Sequence, residues 1–113
     1  KEIETIERIA VKSGSEIKII PLDEIRYLEA YDDYVKIFSS NDMYLKKQTL
    51  SYFEKNLPQD EFIRIHRSVI LNIKELSRIE QAEKDSHWVI LRDQSRLPVS
   101  RSGYQRLKQS LRI

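Results

Sequence analysis

The chain contains no cysteine, which removes disulfides, thiolate nucleophiles and Cys-based metal centres and fits a reducing, cytoplasmic setting. Its only glycines are Gly14 and Gly103, too few for a glycine-rich loop that cradles phosphate on backbone N–H groups. The two histidines, His66 and His87, fall in separate segments without HxxxH or HExxH spacing, so no metal site is expected. Ser68 and Ser100 lack a GxSxG context, and Asp32-Asp33 reads as solvated acids in a turn. No apolar run approaches the roughly 20 residues of a membrane helix, and no basic-then-apolar leader opens the chain. These absences leave catalysis and cofactor chemistry without support.

What remains is a charged, apolar-patterned chain of 113 residues, 40% hydrophobic and 34% charged. That balance belongs to a globular protein rather than a disordered one, and the length suits one domain over 1–113. The start Lys1-Glu2-Ile3-Glu4, without Met, reads as mid-protein, so a domain cut from a longer chain is expected. Net charge is only +2, but residues 1–61 carry 9 Lys+Arg against 13 Asp+Glu, and residues 62–113 carry 11 against 5. Such asymmetry fits a polyanion partner on one face, although a solvated basic surface explains it as well.

Period-two patterning dominates the first half. Residues 6–12 and 16–20, separated by Ser13-Gly14-Ser15, read as a hairpin, with Ile17 and Ile19 on one face. Pro21-Leu22-Asp23-Glu24 makes a turn or single helical turn. Strands follow at 25–31, 34–38 and 43–46, with Val35 and Ile37 opposite Tyr34, Lys36 and Phe38. The turns between them are too short for parallel crossovers, so the ribbon is antiparallel. At Thr49 the period changes. Thr49 is an N-cap, Leu50, Phe53 and Leu57 share a helical face, and Pro58 stops the helix.

The second half is organised by residues 62–72. Phe62, Ile63 and Ile65 are strand formers, and Val69, Ile70 and Leu71 resume the apolar run. At period two, Phe62, Arg64 and His66 share one face, and Ile63, Ile65 and Arg67 the other. His66, Arg67 and Ser68 thus sit between two apolar blocks that hold them for presentation. Beyond them come a short turn of helix or loop at 72–76, and strands at 77–82, 87–92 and 96–99. Pro98 puts the last of these at an edge or end. Ser100 caps a helix whose Tyr104, Leu107 and Leu111 form its inner stripe.

The arginines in loops carry the chemistry. A guanidinium offers a planar fork of donors suited to guanine O6 and N7 or to phosphate. Arg67 follows a strand end; its alternative is an ion pair with Asp60 or Glu61. Arg101 opens the last helix between Ser100 and Ser102, where a cation opposes the helix dipole and an anionic partner relieves the conflict. The adjacent serines and N–H groups suit phosphate oxygens. His66 reads as a brace whose ring bonds a backbone carbonyl, ahead of a base contact. Tyr34 and Lys36 face together after the acidic turn. Tyr34 is either an amphipathic edge residue or a contact to sugar, phosphate or base, and Lys46 and Lys47 are phosphate partners. Trp88 reads as core. A protein-interaction module using exposed strand edges or the 62–72 surface is the competing function class. RNA recognition lacks the stacking aromatics it needs.

The run F-x-R-x-H-R-S-x-x-x-N at 62–72 and P-V-S-R at 98–101 resemble a LytTR DNA-binding domain, the output module of the LytR/AgrA class of bacterial response regulators. Earlier landmarks agree: Ile25-Arg26-Tyr27-Leu28-Glu29-Ala30, Asp33-Tyr34-Val35, Thr49-Leu50 and Leu57-Pro58. The resemblance extends over residues 6 to 111. It implies a mostly β, elongated antiparallel fold with short helices near 49–57 and 101–111. It further implies loops inserted into successive major grooves of one face of double-stranded DNA, with bending. Transferred by position, the base readers are Arg67, Arg101 and Tyr34. Arg64, His66, Ser68, Ser100, Ser102, Lys36, Lys46 and Lys47 are backbone contacts or braces. The implied partners are paired direct-repeat sites, a DNA-assisted dimer and an N-terminal receiver domain in the full-length protein.

Overall fold

A computed structural model describes residues 6–113. Among them the chain runs through β1 (Arg8–Ser13), β2 (Glu16–Pro21), β3 (Ile25–Tyr31), β4 (Tyr34–Ser39), β5 (Met43–Lys46), α1 (Leu50–Asn56), β6 (Phe62–His66), β7 (Val69–Asn72), β8 (Leu76–Gln81), β9 (His87–Leu91), β10 (Arg96–Val99) and α2 (Arg101–Leu111). Single 3-10 turns at Leu22–Glu24 and Ile73–Glu75 lead into β3 and β8. The fold is mostly β, antiparallel throughout, and elongated, measuring 47 × 36 × 24 Å.

The strands divide into a five-stranded sheet ordered β5-β4-β3-β7-β6, a three-stranded sheet ordered β10-β9-β8, and the separate β1-β2 ribbon. Two-residue turns close the ribbon at Gly14 and the β3-β4 hairpin at Asp32, both with positive φ. That backbone hand matches the twist of the strands the turns join. The decisive long-range pairing is β3 with β7, which registers Tyr27 with Leu71 and Glu29 with Val69. It brings the β6-β7 turn beside the β3-β4 turn, where Ala30 N–H donates to the Ser68 carbonyl at 2.9 Å.

Alternation along β6 and β7 feeds two cores, one on each face of the five-stranded sheet. Phe62 and Ile70 join Ile9, Val11, Leu28, Ile37, Phe53 and Leu57 beneath the ribbon and α1. Ile63, Ile65, Val69 and Leu71 join Val89, Leu91, Leu97 and Leu107 beneath the three-stranded sheet and α2. Leu107 is fully buried and anchors α2; truncation of such a side chain costs about 2–5 kcal/mol. Asn72, only 1% exposed, links the sheet internally, since its Nδ2 donates to the Ile25 carbonyl at 2.8 Å and its Oδ1 accepts Lys74 N–H at 3.1 Å.

The expected helix limits hold. Thr49 Oγ1 accepts Tyr52 N–H at 3.1 Å, and α1 ends before Leu57-Pro58. Ser100 Oγ accepts Gly103 N–H at 3.0 Å to cap α2. Two packing expectations need correction. Trp88 is not core: it is half-buried on the outer face of β9, opposite Pro98 and Glu80, with the Arg96 guanidinium 4.9 Å from its ring centre. Its neighbours Val89 and Leu91 point the other way, while Ile90, on the same face as Trp88, is buried, so burial varies along one face of this apolar strand. Leu111 is also largely exposed, because the inner stripe of α2 runs out at its last turn. Ile17 and Ile19 do share a face, and that face is turned to solvent.

Candidate nucleic-acid interface

One end of the molecule gathers the turns that carry the candidate residues. Tyr31 pairs with Tyr34 where β3 turns into β4, and Lys46 pairs with Val35 at the adjoining end of β5. The β6-β7 turn lies next to them through the Ala30–Ser68 bond. The start of α2 is tied to β6, since the Ser100 backbone N–H donates to the Ile65 carbonyl at 2.8 Å. Gly103 permits that approach, because a Cβ there would stand 1.9 Å from the Ile65 oxygen.

Arg67 and Arg101 are exposed, and among the described residues neither guanidinium makes a hydrogen bond or ion pair. The alternative pairing of Arg67 with Glu61 is not formed, and Glu61 instead lies 3.9 Å from Lys74. Arg101 is the first helical residue of α2, the position at which a cation opposes the helix dipole. Two cationic forks are therefore held on backbone supports without internal partners.

The turn before Arg67 is braced by its own neighbours. A register shift between Arg64 and His66 breaks the β6-β7 ladder. Arg64 spans it, donating through Nε to the His66 carbonyl at 3.2 Å and through Nη2 to the Arg67 carbonyl. His66 Nδ1 accepts Ser68 N–H at 3.2 Å and lies 2.9 Å from Ser68 Oγ. The His66 ring bonds within the turn by accepting an N–H, where a bond to a backbone carbonyl was expected. Ser68 is its partner. With the backbone N–H donating, Nδ1 serves as the acceptor in this contact.

The lysines fall into different situations. Lys46 Nζ donates to the Ala10 carbonyl at 2.6 Å, which fastens the β1-β2 ribbon to the edge of the sheet and makes it a brace. Lys36 Nζ sits 4.3 Å from the Tyr31 ring centre. Lys47 is exposed, without a hydrogen-bond or salt-bridge partner among the described residues, in a cleft with Asp33, Tyr34, Gln48 and Thr49. Tyr34 is 42% exposed at the rim of that cleft. Ser102 Oγ lies 3.4 Å from Ser100 Oγ beside a second cleft shared with Arg64, Arg67 and Arg106.

Two residues of this second cleft escaped the sequence reading. Glu54 of α1 contacts Arg64 Nη1 at 2.7 Å and Arg106 Nη1 at 3.8 Å, and Arg106 also donates to the Arg64 carbonyl at 3.1 Å. Only their helical positions were visible in the sequence, as polar residues on the faces away from Phe53 and Leu107. Nothing local announces that three elements meet there.

Known proteins similar to this chain identify its family and its fold. A family model described as the LytTr DNA-binding domain matches residues 15–112. The chain is 32% identical over 106 residues to the sensory transduction protein LytT of Bacillus subtilis strain 168, covering 94% of this chain and 44% of that one. It is 26% identical over 98 residues to the transcriptional regulatory protein YpdB of Escherichia coli K12, covering 86% and 40%. The chain therefore spans less than half the length of these relatives. Among solved structures, a LytTr DNA-binding domain of a putative methyl-accepting/DNA response regulator from Bacillus cereus superposes with a TM-score of 0.87. It is 27% identical, with 96% of this chain and 99% of that one covered.

Proposed function

The chain belongs to the LytTR DNA-binding domain family, and from that premise we propose that its turn-bearing end reads duplex DNA sequence through Arg67 and Arg101, with Tyr34 on the flanking turn. The observation that carries this reading is the pair of exposed guanidinium groups, without partners among the described residues, suspended from one short segment, Ile65–His66. Guanidinium forks on rigid supports suit the O6 and N7 acceptors of guanine in the major groove. As the family resemblance implies, the loops of this face enter successive major grooves of the duplex, and bending the duplex brings further phosphates into reach.

Affinity and selectivity come from different residues in this scheme. Lys47, Ser102 and Lys36 meet phosphate, which holds the protein in register without reading sequence. Arg64, His66, Ser68, Ser100 and Lys46 hold the reading turns in place. Within a longer regulator, this domain is the cytoplasmic output element. It binds paired direct repeats as a DNA-assisted dimer under the control of an N-terminal receiver domain.

The test is selection of bound duplexes from a random library, followed by binding of a selected and a scrambled duplex across a salt series. A selected consensus, with affinity falling steeply as salt rises, is the expected result. Absence of duplex binding, or binding insensitive to salt, would favour a protein-interaction module instead.

A further inference from the structure

A carboxylate is a liability in a cleft meant for a polyanion. Glu54 is the acidic residue among those lining the cleft with Arg64, His66, Arg67, Ser102 and Arg106. Like-charge repulsion from phosphate at that position opposes binding. Its contacts supply a reason for its presence. One oxygen holds Arg64 Nη1 at 2.7 Å, and the other lies 3.8 Å from Arg106 Nη1. Arg64 is half-buried, and its remaining donors point at the carbonyls of His66 and Arg67, the backbone from which the Arg67 side chain springs. Arg106 closes the circuit from α2 by donating to the Arg64 carbonyl.

We propose that Glu54 is a positioning residue for sequence discrimination. It fixes Arg64 as a clamp on the Arg67 turn and couples that turn to the helix carrying Arg101. The reasoning is stereochemical. Arg64 needs an anchor on its free Nη1 edge to keep its other donors aimed at two successive carbonyls. A bidentate-capable acid on a neighbouring helix supplies it. Without that anchor the guanidinium is released toward phosphate, where it adds affinity that carries no sequence information. Glu54 therefore trades general affinity for discrimination. The inference rests on the DNA-reading assignment above and adds a residue that does not itself touch DNA.

The two contributions of Glu54, charge and geometry, have opposite signatures. In Glu54→Gln the repulsion disappears and the anchor weakens. Binding to a scrambled duplex should tighten, while the ratio of affinities for selected and scrambled duplexes falls about tenfold. Glu54→Asp keeps the charge but shortens the reach, so discrimination should fall while the scrambled duplex gains less than it does in Glu54→Gln. Arg67→Ala should cost less in the Glu54→Gln background than in the parent, because the turn is already loosened. In the DNA-free protein, the Arg64 Nε–H resonance should lose its hydrogen-bonded shift in both variants. Unfolding midpoints measured alongside separate these effects from loss of fold, and Glu54→Asp remains the working test if Glu54→Gln does not fold.

An equal tightening on both duplexes in Glu54→Gln, with unchanged discrimination in Glu54→Asp and an unaltered Arg67→Ala cost, makes Glu54 a charge only and overturns the proposal. A parent protein that discriminates while both variants discriminate equally sinks this assignment alone. A parent that binds no duplex sinks the DNA reading and this assignment with it.

Discussion

The carbonyl oxygen of Ile65 accepts the backbone N–H of Ser100 at 2.8 Å and faces its hydroxyl at 3.3 Å. One residue after Ser100 comes Arg101, and two residues after Ile65 comes Arg67. Both candidate reading arginines therefore take their position from a single backbone junction, far apart in sequence and adjacent in space. A disturbance at that junction moves both, whereas a change at either arginine leaves the junction standing.

Removal of the arginine forks should leave the fold intact and damage recognition. Arg67→Ala and Arg101→Ala are each expected to cost about 1–3 kcal/mol at the selected duplex and to relax the preference at one base position. Their unfolding midpoints should match the parent, since neither guanidinium has a partner among the described residues. Lys47→Ala should instead weaken binding to every duplex and reduce the slope of log K against log salt by about one. Quantitative shift assays on selected and scrambled duplexes separate the two patterns. Unaltered specific binding in both arginine variants would remove them from the reading surface.

Gly103→Ala should be among the most damaging small substitutions in the chain. The added Cβ would meet the Ile65 oxygen and carbonyl carbon, at 1.9 and 2.4 Å, and these are backbone atoms that cannot rotate aside. Overpacking of this kind costs about 1–3 kcal/mol or more, despite alanine's better helix propensity. Ser100→Ala loses the cap on Gly103 N–H and is expected to cost about 1 kcal/mol. Urea unfolding of both variants checks the ranking, and an alanine at 103 that stabilises the protein contradicts the close approach of α2 to β6.

Asn72→Ala should destabilise by roughly 1–3 kcal/mol, because it leaves the Ile25 carbonyl and the Lys74 N–H without their side-chain partner in a buried site. DNA binding by the folded fraction should be unchanged, since Asn72 lies at the far end of β7 from the Arg67 turn. Denaturation and duplex titration on the same preparation test both halves of this expectation.

Acid sensitivity should trace partly to Asp93. Burial alone would raise its carboxyl pKa, but hydrogen bonds from Ser95, including its backbone N–H at 3.0 Å, and the neighbouring Arg26 guanidinium outweigh that effect and hold it below the ordinary carboxylate value. With the folded pKa below the unfolded one, ionised Asp93 stabilises the fold above the unfolded value near pH ~4. That contribution declines as pH falls through this value toward the folded pKa. Asp93 is 43% exposed at its side chain, so the effect is small, about 1 kcal/mol or less. Stability curves of the parent and Asp93→Asn should lie apart at neutral pH and converge in acid. Parallel curves across that range would exclude Asp93 as a contributor.

Local features were legible from residue order because they depend on neighbours within a few positions. Strand-forming residue types between turn signals placed β3, β4, β5 and β9, Thr49 and Ser100 declared their caps through side-chain oxygens, and Pro58 marked the end of α1. The 62–72 run marked the turn between β6 and β7, with the exposed Arg67 and the His66–Ser68 contact inside it. Partnerships between distant segments were not legible in the same way. Trp88 sits in an apolar run with Val89, Ile90 and Leu91, yet it alone of the four is not buried, and only the packing around β9 decides that.

The sequence by itself determined the strand and helix periods, the caps, the basic second half and the arginines available for recognition, because those follow from side-chain type and short-range backbone preference. Only the tertiary structure decided that β3 pairs with β7, that Ile65 bears the start of α2, and that Glu54 meets Arg64 and Arg106. Each of these joins segments whose approach is set by packing two cores against opposite faces of one sheet. Side-chain volume and shape across the whole molecule, rather than any local pattern, select that arrangement.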